Sequence, residues 1–205
     1  MRMSQNLAMP LNTSNVTVCY KNEAPNYINL GAGPIHYGVD FTGSSGTKEA
    51  NGFFASGNGV VLGINTVATQ TVGRWVAIMY TDVSGYGNVV VRYFHLDTIF
   101  VSVGNSVTLN TKIGTYGNTG PYSQGKHLHV EVDVDTTSWN YTPTISVASG
   151  NLRAGTRDTA TTTDTSTCNP LDVFKRKLSA PENQTCTIYY DANYRTRTAG
   201  TGSFY

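Results

Sequence analysis

Short runs of apolar residues, separated by Gly- and Asn-rich turns, set the texture of the chain from Val16 to Val134. Val16-Thr17-Val18-Cys19-Tyr20 predicts a first strand, and Ile35-His36-Tyr37-Gly38-Val39-Asp40-Phe41 another, after the turn-rich loop 24–34. Phe53-Phe54-Ala55 leads through Gly57-Asn58-Gly59 into an apolar run over 60–64, and runs over 74–80 and 89–96 flank the turn 82–88. This is the pattern of antiparallel strands joined by tight turns. Segments 103–109 and 112–116 add two short elements, and 125–132 alternates with period 2. No amphipathic helix of three turns appears before residue 168, and Asn169-Pro170-Leu171-Asp172-Val173-Phe174 predicts a short helical turn. The expected fold class is all-β, an antiparallel β-sandwich or open barrel with long surface loops.

The ends read differently. Residues 1–15 are polar and unpatterned and read as a mobile segment, and 1–25 as an N-terminal lead-in to a domain over 26–178. Within that domain, 136–167 is rich in Thr, Ser, Asp and Gly and reads as a long surface insertion, disordered in part. The tail 179–205 is loose apart from Thr187-Ile188-Tyr189-Tyr190, an expected added strand.

Composition narrows the field. A 205-residue chain with 13% charged residues and 21 glycines can bury one large β core. Its net charge of +1, with no dense Lys/Arg cluster, excludes a nucleic-acid footprint. No apolar run approaches the ~18–20 residues of a membrane span. The first residues lack the unbroken apolar segment of a secretory signal, so the expectation is a leaderless protein or an excised domain. Cys19, Cys168 and Cys186 have no metal-knuckle spacing; Cys168 and Cys186 are candidates for pairing or for free thiols.

Chemistry gathers on four histidines. On an extended strand His127 and His129 face one side, with Leu128, Val130 and Val132 on the other. Two imidazoles on a rigid element suit a metal or a proton-transfer site, and equally a structural histidine pair. His36 and Asp40 also share a face, but a straight strand at ~3.3 Å per residue would hold them ~13 Å apart. Both can reach one metal only if the chain bends, and Gly38 lies midway. A half-buried histidine and an unrelated surface aspartate remain the alternative for this segment.

The joint pattern resembles the lysostaphin-type, or LytM-like, zinc metallopeptidases that cut peptide bridges of bacterial peptidoglycan. His36-Tyr37-Gly38-Val39-Asp40-Phe41 is similar to the family's His-x-x-x-Asp segment, and Tyr93-Phe94-His95-Leu96 to its Tyr-x-His-Leu. Gly117-Asn118-Thr119-Gly120 and His127-Leu128-His129 follow in the family's order, and Asn169-Pro170-Leu171-Asp172 resembles the segment that ends the domain. The resemblance covers 26–135 and 168–175. It implies the duplicated-hybrid-motif type of β fold, zinc held by His36, Asp40 and His129, and His95 and His127 as acid–base or orienting groups. It also places Tyr27 where some members carry a tyrosine that steadies the transition state. Two imidazoles and one carboxylate leave a fourth tetrahedral position for water, the open site of a catalytic zinc. Lys126 and the length of the 136–167 insertion depart from the family pattern without removing a ligand.

The implied function is hydrolysis of peptidoglycan cross-links at the bacterial cell wall, by an extracellular or virion-associated enzyme. A phage tail module, with other tail proteins as partners, fits the missing leader. The alternatives are a non-catalytic wall-binding or tail structural relative, and a cupin-type metal barrel. A cupin places Glu four or five residues beyond its second His, where this chain has Asp133 and Val134. For substrate, Tyr27, Tyr37, Tyr122 and the glycines of 117–120 suggest narrow walls, and the D-Ala–diamino-acid bond is preferred over Gly–Gly.

Overall fold

The computed structural model describes residues 4–11, 14–23, 35–43, 51–145, 147–155, 166–178 and 202–203. Six strands position the site: β1 (Asn15–Val18), β2 (Val39–Thr42), β3 (Gly59–Asn65), β4 (Arg74–Val83), β5 (Gly87–Ile99) and β6 (Leu128–Asp133). They lie side by side in the order β3-β4-β5-β6-β2-β1 within one large sheet, each pair antiparallel. Ser106–Val107 pairs outside β3, and Gly202–Ser203 outside β1. Lys112–Tyr116 joins the far end of β5 to Gly52–Phe54, so β5 changes partner along its length.

Alternation sorts the side chains of β5 and β6 between two faces. Val89, Val91 and Tyr93, with Leu128, Val130 and Val132, enter the main core beside Phe41, Phe53 and Ile78. At about 1.5–3 kcal/mol for each fully buried aliphatic or Phe side chain, this face supplies most of the driving force for folding. The opposite face carries Val90, Arg92 and Phe94 on β5 against His129, Glu131 and Asp133 on β6. It can hold charged groups because the main core does not depend on it.

The N-terminal lead-in expected to be loose is built into the fold. Leu7, Ala8, Met9 and Leu11 are buried, and Leu7–Ala8 pairs in parallel with Phe174–Arg176. The Gln5 amide donates to the carbonyls of Asn58 (2.9 Å) and Thr81 (2.7 Å), and its oxygen accepts from Asn58 N (2.8 Å). The segment 4–11 shows no alternation because its partners, Asn58, Thr81 and Phe174–Arg176, are all distant in sequence.

The insertion is likewise more than a surface loop. Trp139, Ile145 and Leu152 pack on Val72, Trp75, Ala77, Val90 and Phe94, forming a second apolar cluster on the face that carries the charges. A Cβ on Gly63 would meet the Trp139 ring at 2.7 Å, so the indole lies directly on the β3 backbone. These anchors are too widely spaced to form a period, which is why the segment reads as polar. The predicted helical turn is present as α1 (Pro170–Val173), with Asn169 accepting from Leu171 N at 3.0 Å. No helix among the described residues is long and apolar enough to cross a membrane. Tyr27, Cys186, the expected strand at 187–190 and part of the Thr-rich run lie outside the described residues.

Candidate metal centre

Register brings the ligands together. Asp40 on β2 is the direct cross-strand partner of His129 on β6. His36 ends the short strand Ile35–His36, and the chain breaks at Tyr37 and Gly38 before β2 begins. That break turns a separation of four residues into a contact: His36 Nε2 lies 3.1 Å from Asp40 Oδ1. His129 Nδ1 lies 2.8 Å from the same oxygen and 2.9 Å from His36 Nε2.

Gly38 is required by the close approach. A Cβ there would lie 2.6 Å from both His129 Nε2 and the Val130 carbonyl oxygen. Gly38→Ala is expected to cost about 1–3 kcal/mol by overpacking and to weaken metal binding by displacing His129. Denaturant midpoints and a zinc titration check this; wild-type values for both would refute it.

Each imidazole is fixed from behind. His36 Nδ1 faces the Cys19 carbonyl at 3.1 Å, and His129 Nε2 faces Glu131 Oε1 at 3.3 Å. With a metal bound, an N–H donated at each outer nitrogen would leave His36 Nε2 and His129 Nδ1 as the lone-pair donors. With Asp40 Oδ1 they form three convergent buried atoms. Donor atoms around a tetrahedral zinc at ~2.0–2.1 Å sit roughly 3.3 Å apart, so an ion would spread this set by only a few tenths of an ångström. The residues fit zinc.

The electrostatics agree. Burial alone would raise the Asp40 pKa, but the His36 and His127 charges and hydrogen bonds from His129 and His36 hold it well below the usual range. Burial opposes charge on His129, yet its hydrogen bonds to Asp40 and Glu131 raise its pKa to about 9. Two anionic acceptors thus grip this ring, a strong demand for positive charge at the point where a cation would bind.

His95 and His127 stand beside this set. Their ring centroids are 4.8 Å apart, and His95 lies 5.9 Å from His129. His95 occurs where β5 changes partner and adopts a left-handed backbone, φ +63. Such a conformation persists in a non-glycine residue only when the surroundings impose it. Here Val72 accepts from His95 N at 3.1 Å, and Thr119 accepts from its Nδ1 at 2.9 Å. The Thr119 loop lies hard against Gly73, where a Cβ on Gly120 would meet Gly73 N at 2.4 Å. Burial, then the charges of His127 and His129, push the His95 pKa well below 6.5, so its ring is neutral with Nε2 unprotonated. His127, partly exposed, is fixed by the Gly125 carbonyl at Nδ1 (2.8 Å) and holds Nε2 3.6 Å from Asp40 Oδ2.

All five histidine and aspartate positions expected from the sequence therefore meet in one place. Tyr37, read as a groove wall, is instead in the main core and 2% exposed, because alternation sends it to the face opposite His36. The sequence reading missed a buried layer behind the ligands. Phe94, directly opposite His129, stacks on its ring at 5.2 Å and 5°. Arg92 pairs with Glu131 and Asp133, all three fully buried. The available signal was an arginine inside the run Val89-Val90-Val91-Arg92-Tyr93-Phe94, and acids two and four residues after His129.

Comparisons with known proteins point the same way. The chain is 36% identical over 97 residues to an uncharacterized metalloprotease of Buchnera aphidicola subsp. Baizongia pistaciae, a match covering 47% of this chain and 23% of that protein. It is 37% identical over 100 residues to the peptidoglycan DD-endopeptidase ShyA of Vibrio cholerae, covering 48% and 20%. The chain thus spans about a quarter or less of the length of these curated relatives. Among solved structures, the SpoIIQ–SpoIIIAH pore-forming complex shares the fold, with a TM-score of 0.50 and 21% identity over 85% of this chain and 94% of that one. The pattern of peptidase family M23 matches residues 34–141, from just before His36 to Tyr141, and the chain belongs to that family.

Proposed function

We propose that this M23 peptidase is a zinc-dependent endopeptidase that hydrolyses peptide cross-links of bacterial peptidoglycan. The observation that carries the reading is the convergence of His36 Nε2, Asp40 Oδ1 and His129 Nδ1 beside two imidazoles that are not needed as ligands. His36, Asp40 and His129 would hold the ion, which when bound polarises a water and the scissile carbonyl. His95, neutral and fixed through Nδ1, accepts the water proton at Nε2 and returns it to the leaving amine. His127, at the more open side, would steady the carbonyl oxygen as negative charge develops there when both its nitrogens carry protons, Nδ1–H held by Gly125 and Nε2–H donating to that oxygen. Tyr27 is proposed as a further donor to that oxygen. A virion-borne enzyme would use the same site on the same bond, so a tail-borne arrangement is compatible with this chemistry.

The D-Ala–diamino-acid bond is the preferred target, a reading supported by the similarity to a DD-endopeptidase. Purified cross-linked muropeptides of both types, with mass analysis of the products, test it. Expected is cleavage at D-Ala–diamino-acid links, abolished by chelation and restored by zinc. Cleavage of pentaglycine links alone would overturn the preference, and a zinc-loaded protein that cut neither would overturn the assignment as an enzyme of the wall.

A further inference from the structure

Behind His129 lies a buried polar network that the reaction itself does not use. Glu131 Oε1 faces His129 Nε2 at 3.3 Å, and its other oxygen receives Arg92 Nε at 3.1 Å and the Thr142 hydroxyl. Arg92 Nη1 donates to Asp133 Oδ2 at 2.8 Å and to the main-chain carbonyls of Trp139 (2.8 Å) and Tyr141. Asp133 is fixed in turn by Asp135 N at 2.8 Å. Arg92, Glu131, Asp133 and Thr142 are each fully buried.

Two features give this network a direction. Glu131 and Arg92 are cross-strand partners on β6 and β5, so the sheet alone brings them together. Thr142 and the two carbonyls come from the insertion, which reaches the same point from outside the sheet and is held there by Trp139, Ile145 and Leu152. The insertion therefore completes the shell of hydrogen bonds around the carboxylate that sets the tautomer of a metal ligand. Phe94, packed in the same apolar cluster, stacks on the other side of that ligand.

We propose that Glu131 is a positioning residue that holds His129 with Nδ1 toward the metal, and that the insertion, through Thr142, fixes Glu131 and so sets how tightly zinc is retained. The inference rests on His129 being a zinc ligand. Loss of an outer hydrogen bond of this kind typically weakens metal affinity about 10–100-fold. The carboxylate must keep one oxygen for His129 while Arg92 and Thr142 occupy the other. Without the Thr142 hydroxyl the group can rotate toward Arg92, and the ring loses its anchor.

The test is zinc affinity of the full chain, by competition with a chromophoric chelator, together with the visible spectrum of the cobalt-substituted protein. Thr142→Val, which keeps shape and touches no ligand, is expected to weaken zinc about tenfold and to shift the cobalt bands. Thr142→Ser, which restores the hydroxyl, is expected to recover both. Glu131→Gln is expected to weaken zinc by up to about a hundredfold. Unchanged affinity and spectrum in Thr142→Val would overturn the role of the insertion, and unchanged values in Glu131→Gln would overturn the positioning role. If Glu131→Gln fails to fold, the valine and serine variants decide the question. A wild-type protein that takes up no zinc would remove the underlying reading as well, an outcome distinct from wild-type and variants binding alike.

Discussion

Replacing Asp40 by alanine is expected to empty the metal centre while the β-sheet survives. Asp40 is the proposed anionic ligand and the junction of the site, 3.1 Å from His36 Nε2, 2.8 Å from His129 Nδ1 and 3.6 Å from His127 Nε2. Without it, two imidazole nitrogens 2.9 Å apart face each other with no anionic donor between them. If a binding free energy on the order of 10 kcal/mol is shared among three ligands, losing one costs about 3 kcal/mol, or more than a hundredfold in affinity. The fold has less at stake, since Asp40 pairs through its backbone with β6 and β1 whatever its side chain. Metal analysis after gel filtration, alongside circular dichroism, gives the answer. A folded variant with one zinc per chain would refute the ligand assignment.

His95→Ala and His127→Ala are expected to separate metal binding from turnover. Neither ring belongs to the convergent donor set, so both variants should keep zinc. Both should lose about a hundredfold or more in turnover, the usual scale for removing a positioned proton-transfer group. For His95 the argument has a structural companion. Its left-handed φ of +63 is imposed by Val72 and Thr119 in order to present the ring, and alanine in its place keeps the backbone strain without the chemistry. Single-turnover rates on a muropeptide at saturating zinc provide the measurement. A variant of either residue that worked at the wild-type rate would strike it from the mechanism.

What could be read in the sequence, and what could not, follows the range of the interactions. His127 and His129 declare a shared face through strict alternation, and Gly38 marks the bend that lets His36 meet Asp40. These are local signals, carried by period and by one glycine. Arg92 carries no local signal, because nothing within a valine-rich strand shows the partners of a single charge; it is buried only because Glu131 and Asp133 arrive from β6. Trp139, Ile145 and Leu152 were passed over because irregular backbone packs without periodicity. The N-terminal residues carried no pattern since parallel pairing with Phe174–Arg176 leaves no mark within either segment.

That last pairing has a consequence for the order in which the chain can fold. Leu7 and Ala8 are made well over a hundred residues before Phe174–Arg176, the strand they pair with. Until Phe174 emerges, the Leu7–Ala8 backbone lacks its native strand partner and must be kept from wrong ones. Contacts of such long sequence separation slow folding, because loop closure must precede any gain from burial. The β4–β5 hairpin can form early, and the pairing of Leu7–Ala8 with Phe174–Arg176 closes late. A nascent chain stalled before residue 174 would therefore hold the Leu7–Ala8 edge open to neighbouring polypeptides, the hour of greatest risk in its synthesis.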